Sequence, residues 1–169
     1  MSIIVNTTIL SNFAAIDRLE LLRLRFGMLF LSDAVFEETQ TGLMQGYGFY
    51  ESLMQMVAPF SPTGWLYLTA LHESEEFRLY GQLLGNLHSG EASSLAIACC
   101  RQWVFLTDDK SARRRSQELN VSVSGTLGIL SSLVQRKLCD LEEGDRFLQE
   151  MVRHGYYAPV ESLRDILER

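Results

Sequence analysis

Short apolar runs alternate with longer stretches of helical periodicity along most of this 169-residue chain, and that alternation restricts the fold more than any other feature. Ser2 to Val5 is a β-branched run, and Met28 to Leu31, Trp65 to Thr69, Trp103 to Thr107 and Val121 to Val123 are further runs of strand length. Between them the apolar positions recur every three to four residues. Ile9, Leu10, Phe13, Ile16, Leu19, Leu21 and Leu22 predict a helix broken near Asp17-Arg18, then a second piece ending near Gly27. Helices are also expected from Ser32-Asp33 through Glu38, over 46–57, 72–86, 89–101 and 110–119, and from Ser124-Gly125-Thr126 to about Lys137. Two more, 140–154 and 159–169, are joined by Gly155-Tyr156-Tyr157. Pro59 and Pro62 punctuate a loop. Strands alternating with helices imply right-handed crossovers and a mainly parallel central sheet covered on both faces, an α/β three-layer fold.

Residues at the carboxyl ends of the strands then matter most, because ligands of open parallel sheets bind there. Asn6 follows the first strand and Asp108-Asp109 the strand 103–107. Helix geometry selects two further acids. Glu38 shares its face with Ala34 and Val35, whereas Glu37 points away and is the better candidate for solvent. Glu91 lies in line with Leu95, Ala98 and Cys99, on the face that packs against the sheet.

Ordinary structural roles compete at each position. An edge residue reaching water explains Glu38 about as well as a functional role does. The macrodipole favours an acid in a first helical turn by about 0.3 to 1 kcal/mol, which accounts for part of Glu91. An Asp-Asp pair after a strand is commonly an N-cap plus a first-turn acid. Convergence of the four acids on one edge favours function, since crowded like charges repel unless a cation joins them. Hard divalent ions such as Mg²⁺ and Mn²⁺ take oxygen ligands of this kind.

Composition narrows the alternatives. The chain is 47% hydrophobic and 21% charged, which allows one domain whose core stands without a structural metal. Cys99, Cys100 and Cys139 have no zinc or redox spacing and read as reduced core residues. The start of the chain lacks a signal or membrane pattern, so a cytoplasmic location is expected. A net charge of -6 argues against passive nucleic-acid binding but not against a nuclease whose carboxylates are balanced by divalent ions. His72, His88 and His154 form no metal spacing, and Ser11, Ser93 and Ser124 have no nucleophile elbow. Arg113-Arg114-Arg115, near Lys110 and Arg101, are placed either to touch a phosphate backbone or to form a solvated helix face.

Five stretches, in order, resemble the PIN-domain family and more narrowly its VapC-like toxin branch. Asn6-Thr7-Thr8-Ile9-Leu10 is similar to the family's opening Asp-Thr-Ser-x-Leu, and Asp33-Ala34-Val35-Phe36-Glu37-Glu38 to its Glu-Ala-Val-Tyr-x-Glu helix. Gly90-Glu91-Ala92 is similar to its Gly-Glu-Ala helix, Asp108-Asp109 with Arg113-Arg114 to its strand-end acids, and Val123 to Leu130 to its Gly-Thr helix start. Residues 43–86 are unmatched, and the whole chain, 1–169, is expected to be one PIN-like domain with C-terminal helices over 138–169.

The resemblance implies a metal-dependent endoribonuclease. Acids hold Mg²⁺ or Mn²⁺, and a metal-activated water attacks an RNA phosphodiester. It implies Asn6, Glu38, Glu91, Asp108 and Asp109 as the catalytic and metal-binding set, a homodimer, and an antitoxin protein as partner. Asn6 departs from the pattern: it stands where the family has its central Asp, and an amide offers at most one neutral oxygen. A natural variant of reduced activity, an inert chain retained for binding an antitoxin or RNA, and an engineered silencing change are all consistent with it. A phosphomonoesterase is a more distant alternative.

Overall fold

A computed structural model describes residues 1–168. Six strands form one all-parallel sheet: β1 (Ile3–Val5), β2 (Leu29–Ser32), β3 (Val57–Ala58), β4 (Leu66–Thr69), β5 (Val104–Leu106) and β6 (Val123–Ser124), in the order β3-β4-β2-β1-β5-β6. The helices are α1 (Thr7–Ala15), α2 (Glu20–Phe26), α3 (Asp33–Met44), α4 (Glu51–Met54), α5 (Ser74–Leu83), α6 (Ser89–Arg101), α7 (Lys110–Glu118), α8 (Thr126–Gln135), α9 (Leu141–Arg153) and α10 (Arg164–Leu167). The α/β class and the parallel sheet expected from the alternation are both present.

The period-two alternation of the central strands divides the core. Val5, Leu29, Leu31 and Leu106 pack with residues of α1, α2, α8 and α9 in one cluster. Ile4 and Phe105 face a second cluster with Leu95, Ala96 and Ala98 of α6 and Ala112 of α7. Neighbouring strands are in register, with Ile4 opposite Phe105 and Val5 opposite Leu106, so each face is apolar across the sheet.

The middle of the chain departs from expectation. The helix predicted over 46–57 is a 3-10 turn (Gly48–Tyr50), the single turn α4 and the start of edge strand β3. Two paired residues are too few to leave a periodic signature. The last expected helix, 159–169, is reduced among the described residues to α10, preceded by an irregular segment anchored at Leu163. That side chain is buried, and a Cβ on Gly144 of α9 would lie 2.7 Å from its Cδ1. Asp145 holds the segment by accepting from the Leu163 amide at 2.7 Å and the Ser162 hydroxyl at 2.8 Å.

Candidate active site

The chain leaves β1 toward β2 on one side and leaves β5 toward β6 on the other. Their carboxyl ends therefore flank the topological switch point of the sheet, where diverging connections open a crevice. Asn6 follows β1, and Asp108 and Asp109 follow β5. Glu38 on α3 and Glu91 in the first turn of α6 approach the same edge.

Each of the five side chains accepts a backbone N–H at the N-terminus of a helix. Asn6 caps α1, its Oδ1 taking the amide of Thr8 at 3.0 Å. The Gly90 amide of α6 donates to Glu38 Oε1 at 2.9 Å, and His88 donates to Glu91 Oε2 at 2.9 Å in a reciprocal capping box. Asp109 caps α7 through Ala112 at 2.7 Å, and Asp108 Oδ1 accepts from Thr126 of α8 at 2.8 Å. Four helix N-termini thus meet at one sheet edge. Their unpaired N–H groups and positive dipole ends favour acceptors and negative charge there.

Hydrogen bonds tie these caps together. Thr7 Oγ1 donates to Glu38 Oε2. The Asp108 amide donates to Thr8 Oγ1 at 3.1 Å, and that hydroxyl donates onward to Asn6 Oδ1 at 2.6 Å. Asn6, only 1% exposed, therefore has both lone pairs of its oxygen engaged by Thr8. The oxygen expected as a weak ligand is taken, and the amide offers an NH₂ group instead.

Glu91 is the electrostatic centre of the acids. Burial raises its pKa above the ordinary carboxyl value, and the charges of Asp109 and then Glu38 raise it further, against the His88 hydrogen bond. Asp108 is more heavily hydrogen-bonded than the other acids at this edge. Its Oδ2 accepts from Thr126 Oγ1 at 2.5 Å and Asn12 Nδ2 at 3.0 Å, which turns the carboxylate toward α1 and α8. Asp109 instead caps α7, whose Ala112 belongs to the core cluster on the opposite face. The two carboxylates thus make different contacts, Asp108 with α1 and α8 and Asp109 with α7, although both border one cavity.

The motifs and the strand-end geometry agree with a single family. A family model described as a PIN domain matches residues 2–169. The chain belongs to the PIN-domain family. A search of curated proteins finds no match. PIN domains have a nuclease-type fold and generally use divalent metal ions.

Tested against such an ion, the donor set of this PIN domain fits in part. As the side chains stand, no three His, Cys, Asp or Glu residues among the described ones group closely enough to hold a metal. Glu91 Oε1 and Asp109 Oδ2 take part in no hydrogen bond among the described residues, and both are hard oxygen donors. Glu38 stands beside them with each oxygen accepting one bond. Asn6 Oδ1 has both lone pairs engaged, and the Asp108 carboxylate accepts three hydrogen bonds, two at Oδ2 and one at Oδ1.

Sequence reasoning missed Asn12 and the role of Thr126, whose hydrogen bonds orient Asp108. It also missed Tyr156 and Tyr157, which line a cavity of about 620 Å³ beside Asp108 and Asp109. Nothing in the spacing of those tyrosines, assigned to a helix junction, brings them to residues more than forty positions earlier.

Proposed function

We propose that this PIN domain is a Mg²⁺- or Mn²⁺-dependent endoribonuclease weakened by Asn6, and the toxin component of a toxin-antitoxin pair. The observation that carries this is the convergence of Glu38 and Asp109 on half-buried Glu91 at the switch point of the sheet. Glu91 and Asp109 would hold the ion, with Glu38 as third acid. When bound, the ion would lower the pKa of water and offset charge developing on the phosphodiester. The five caps of the four helices hold these side chains at one sheet edge, from which the free oxygens of Glu91 and Asp109 would turn to the ion. Asp108 positions α8 against α1. Residues 1–169 act as one domain, in a cytoplasmic homodimer of the VapC-like branch held inactive by an antitoxin protein.

Single-stranded RNA incubated with Mn²⁺ is expected to be cut slowly, faster by Asn6→Asp and not at all by Glu91→Gln. Asn6→Asp puts a second carboxylate oxygen in place of the NH₂ group, which the Thr8 bonds leave unused. No Mn²⁺-dependent cleavage by either the native chain or Asn6→Asp would sink the nuclease assignment.

A second reading is favoured by the engaged Asn6 oxygen: an inert PIN scaffold that binds an antitoxin or RNA without cleavage. Calorimetry separates them. An inert scaffold takes up no Mn²⁺, and Glu91→Gln then leaves the titration unchanged.

A further inference from the structure

The cavity beside the acids is bounded by α1, the starts of α7 and α8, and the segment 155–159. Its lining combines two kinds of chemistry. Leu127, Pro159 and the ring of Tyr156 supply apolar surface, while Lys110 and Arg113 supply cations that form no ion pair among the described residues. Tyr157 stands at the cavity 79% exposed, with Lys110 Nζ 5.6 Å from its ring centroid.

That exposure is built into the fold. Gly155 turns the chain at φ +101, a conformation costly for other residues, and the buried Leu163 fixes the far end. Between those points Tyr156 packs against the main core and burial pushes its phenol up, so that wall stays uncharged. An exposed aromatic ring on an anchored segment, next to unpaired cations, is the combination that single-stranded nucleic acid uses: bases stack and phosphates meet the cations.

We propose that this cavity is a base-binding subsite for single-stranded RNA, in which a base stacks on Tyr157 while Lys110 and Arg113 meet the flanking phosphates. The proposal rests on the RNA substrate of the function above. Asp108 and Asp109 also border the cavity, so phosphates are expected on its Lys110 and Arg113 side, and the charge of Asp109 that acts on Glu91 links the cavity to the acids. Arg113 is fixed for this by its bond from Nη1 to the Thr107 carbonyl at 3.1 Å.

Binding of a fluorescent single-stranded RNA of about ten nucleotides to the full chain, measured by anisotropy in EDTA, tests the subsite apart from catalysis. Tyr157→Ala should weaken binding about tenfold, Tyr157→Phe should retain it, and Lys110→Ala should reduce the salt dependence by about one contact. Tyr157→Trp should report stacking as quenched fluorescence on addition of RNA. Equal affinity of Tyr157→Ala and the native chain, an unquenched tryptophan, absence of RNA binding, or equally tight duplex binding would each overturn the proposal. Tyr157-dependent binding without Mn²⁺-dependent cleavage retains the subsite and removes the nuclease. Cleavage with KM unchanged in Tyr157→Ala does the reverse.

Discussion

Glu38 Oε1 accepts the amide of Gly90 at 2.9 Å across the edge of the sheet, an approach that a side chain at residue 90 would displace. A Cβ there would lie 2.4 Å from Oε1 and 2.6 Å from Oε2 of the same carboxylate. The α3–α6 junction is therefore closed by this acid on a bare backbone amide together with the buried Ser32–Ser93 hydroxyl pair at 2.8 Å.

Gly90→Ala tests that closure. Alanine in a helix is ordinarily more stable than glycine by up to about 1 kcal/mol, so the local expectation is a gain. Displacement of Glu38 from its bonds to Thr7 and Gly90 reverses the sign, and urea unfolding should register a net loss of about 1 kcal/mol. A stabilised variant would mean that the carboxylate moves aside without cost.

Asn6 caps α1 from a buried position, and two substitutions separate its cap from its charge. Asn6→Ala should cost about 1 kcal/mol of stability from the lost cap. Asn6→Asp keeps the cap but adds a negative charge at the edge where Glu38, Glu91 and Asp109 converge, so its melting temperature in EDTA should fall below that of the native chain. Added Mn²⁺ should recover it. Equal melting temperatures of Asn6→Asp and the native chain in EDTA would contradict the crowding of charge at this edge.

Away from the acids, Glu76 and Arg101 predict a pH dependence. Glu76 is 0% exposed and bonded by Arg101 Nε at 2.6 Å, which is the main reason its pKa is lowered from 4.5 to about 2; the His72 and Glu73 amides add to it. The folded value lies below the unfolded one, so the stabilisation is complete above pH 4.5 and is lost as pH falls toward 2. Its size is roughly 3 kcal/mol. In urea unfolding at pH 7 and pH 3, Glu76→Gln should lose less stability on acidification than the native chain; an identical loss would disprove the pair's role.

Leu163 anchors the C-terminal segment in the core formed by α8 and α9. Leu163→Ala should cost about 2 to 5 kcal/mol through the cavity it leaves. Because the segment carries Tyr157, RNA affinity in EDTA should fall in the same variant while Mn²⁺ uptake stays. A stability change below about 1 kcal/mol would show that the segment is not held there.

Several elements were legible in advance for reasons visible in particular residues. Glu37 is exposed and Glu38 half-buried, as the helical face of Ala34 and Val35 requires. Glu91 rides the same face as the buried Leu95 and Ala98. The edge strand β3 was hidden because Val57 and Ala58 gain their pairing from β4, not from any local pattern. Asp108 and Asp109 read as one acidic pair, but the structure gives them different partners, the start of α8 for Asp108 and the start of α7 for Asp109, which no local pattern announces.

The sequence by itself determined the layered α/β architecture, the strand ends that carry Asn6, Asp108 and Asp109, and the helix faces that carry Glu38 and Glu91, because periodicity of two or about 3.6 is a local property of the chain. Only the tertiary structure decided which oxygens remain available. Glu38 meets Gly90 across 52 positions and Thr8 meets Asp108 across 100, and such contacts exist only once the sheet has brought the four helix N-termini to one edge. There the unpaired N–H groups compete with any cation for the same lone pairs, which leaves Glu91 and Asp109 each with one free oxygen and Asn6 with none.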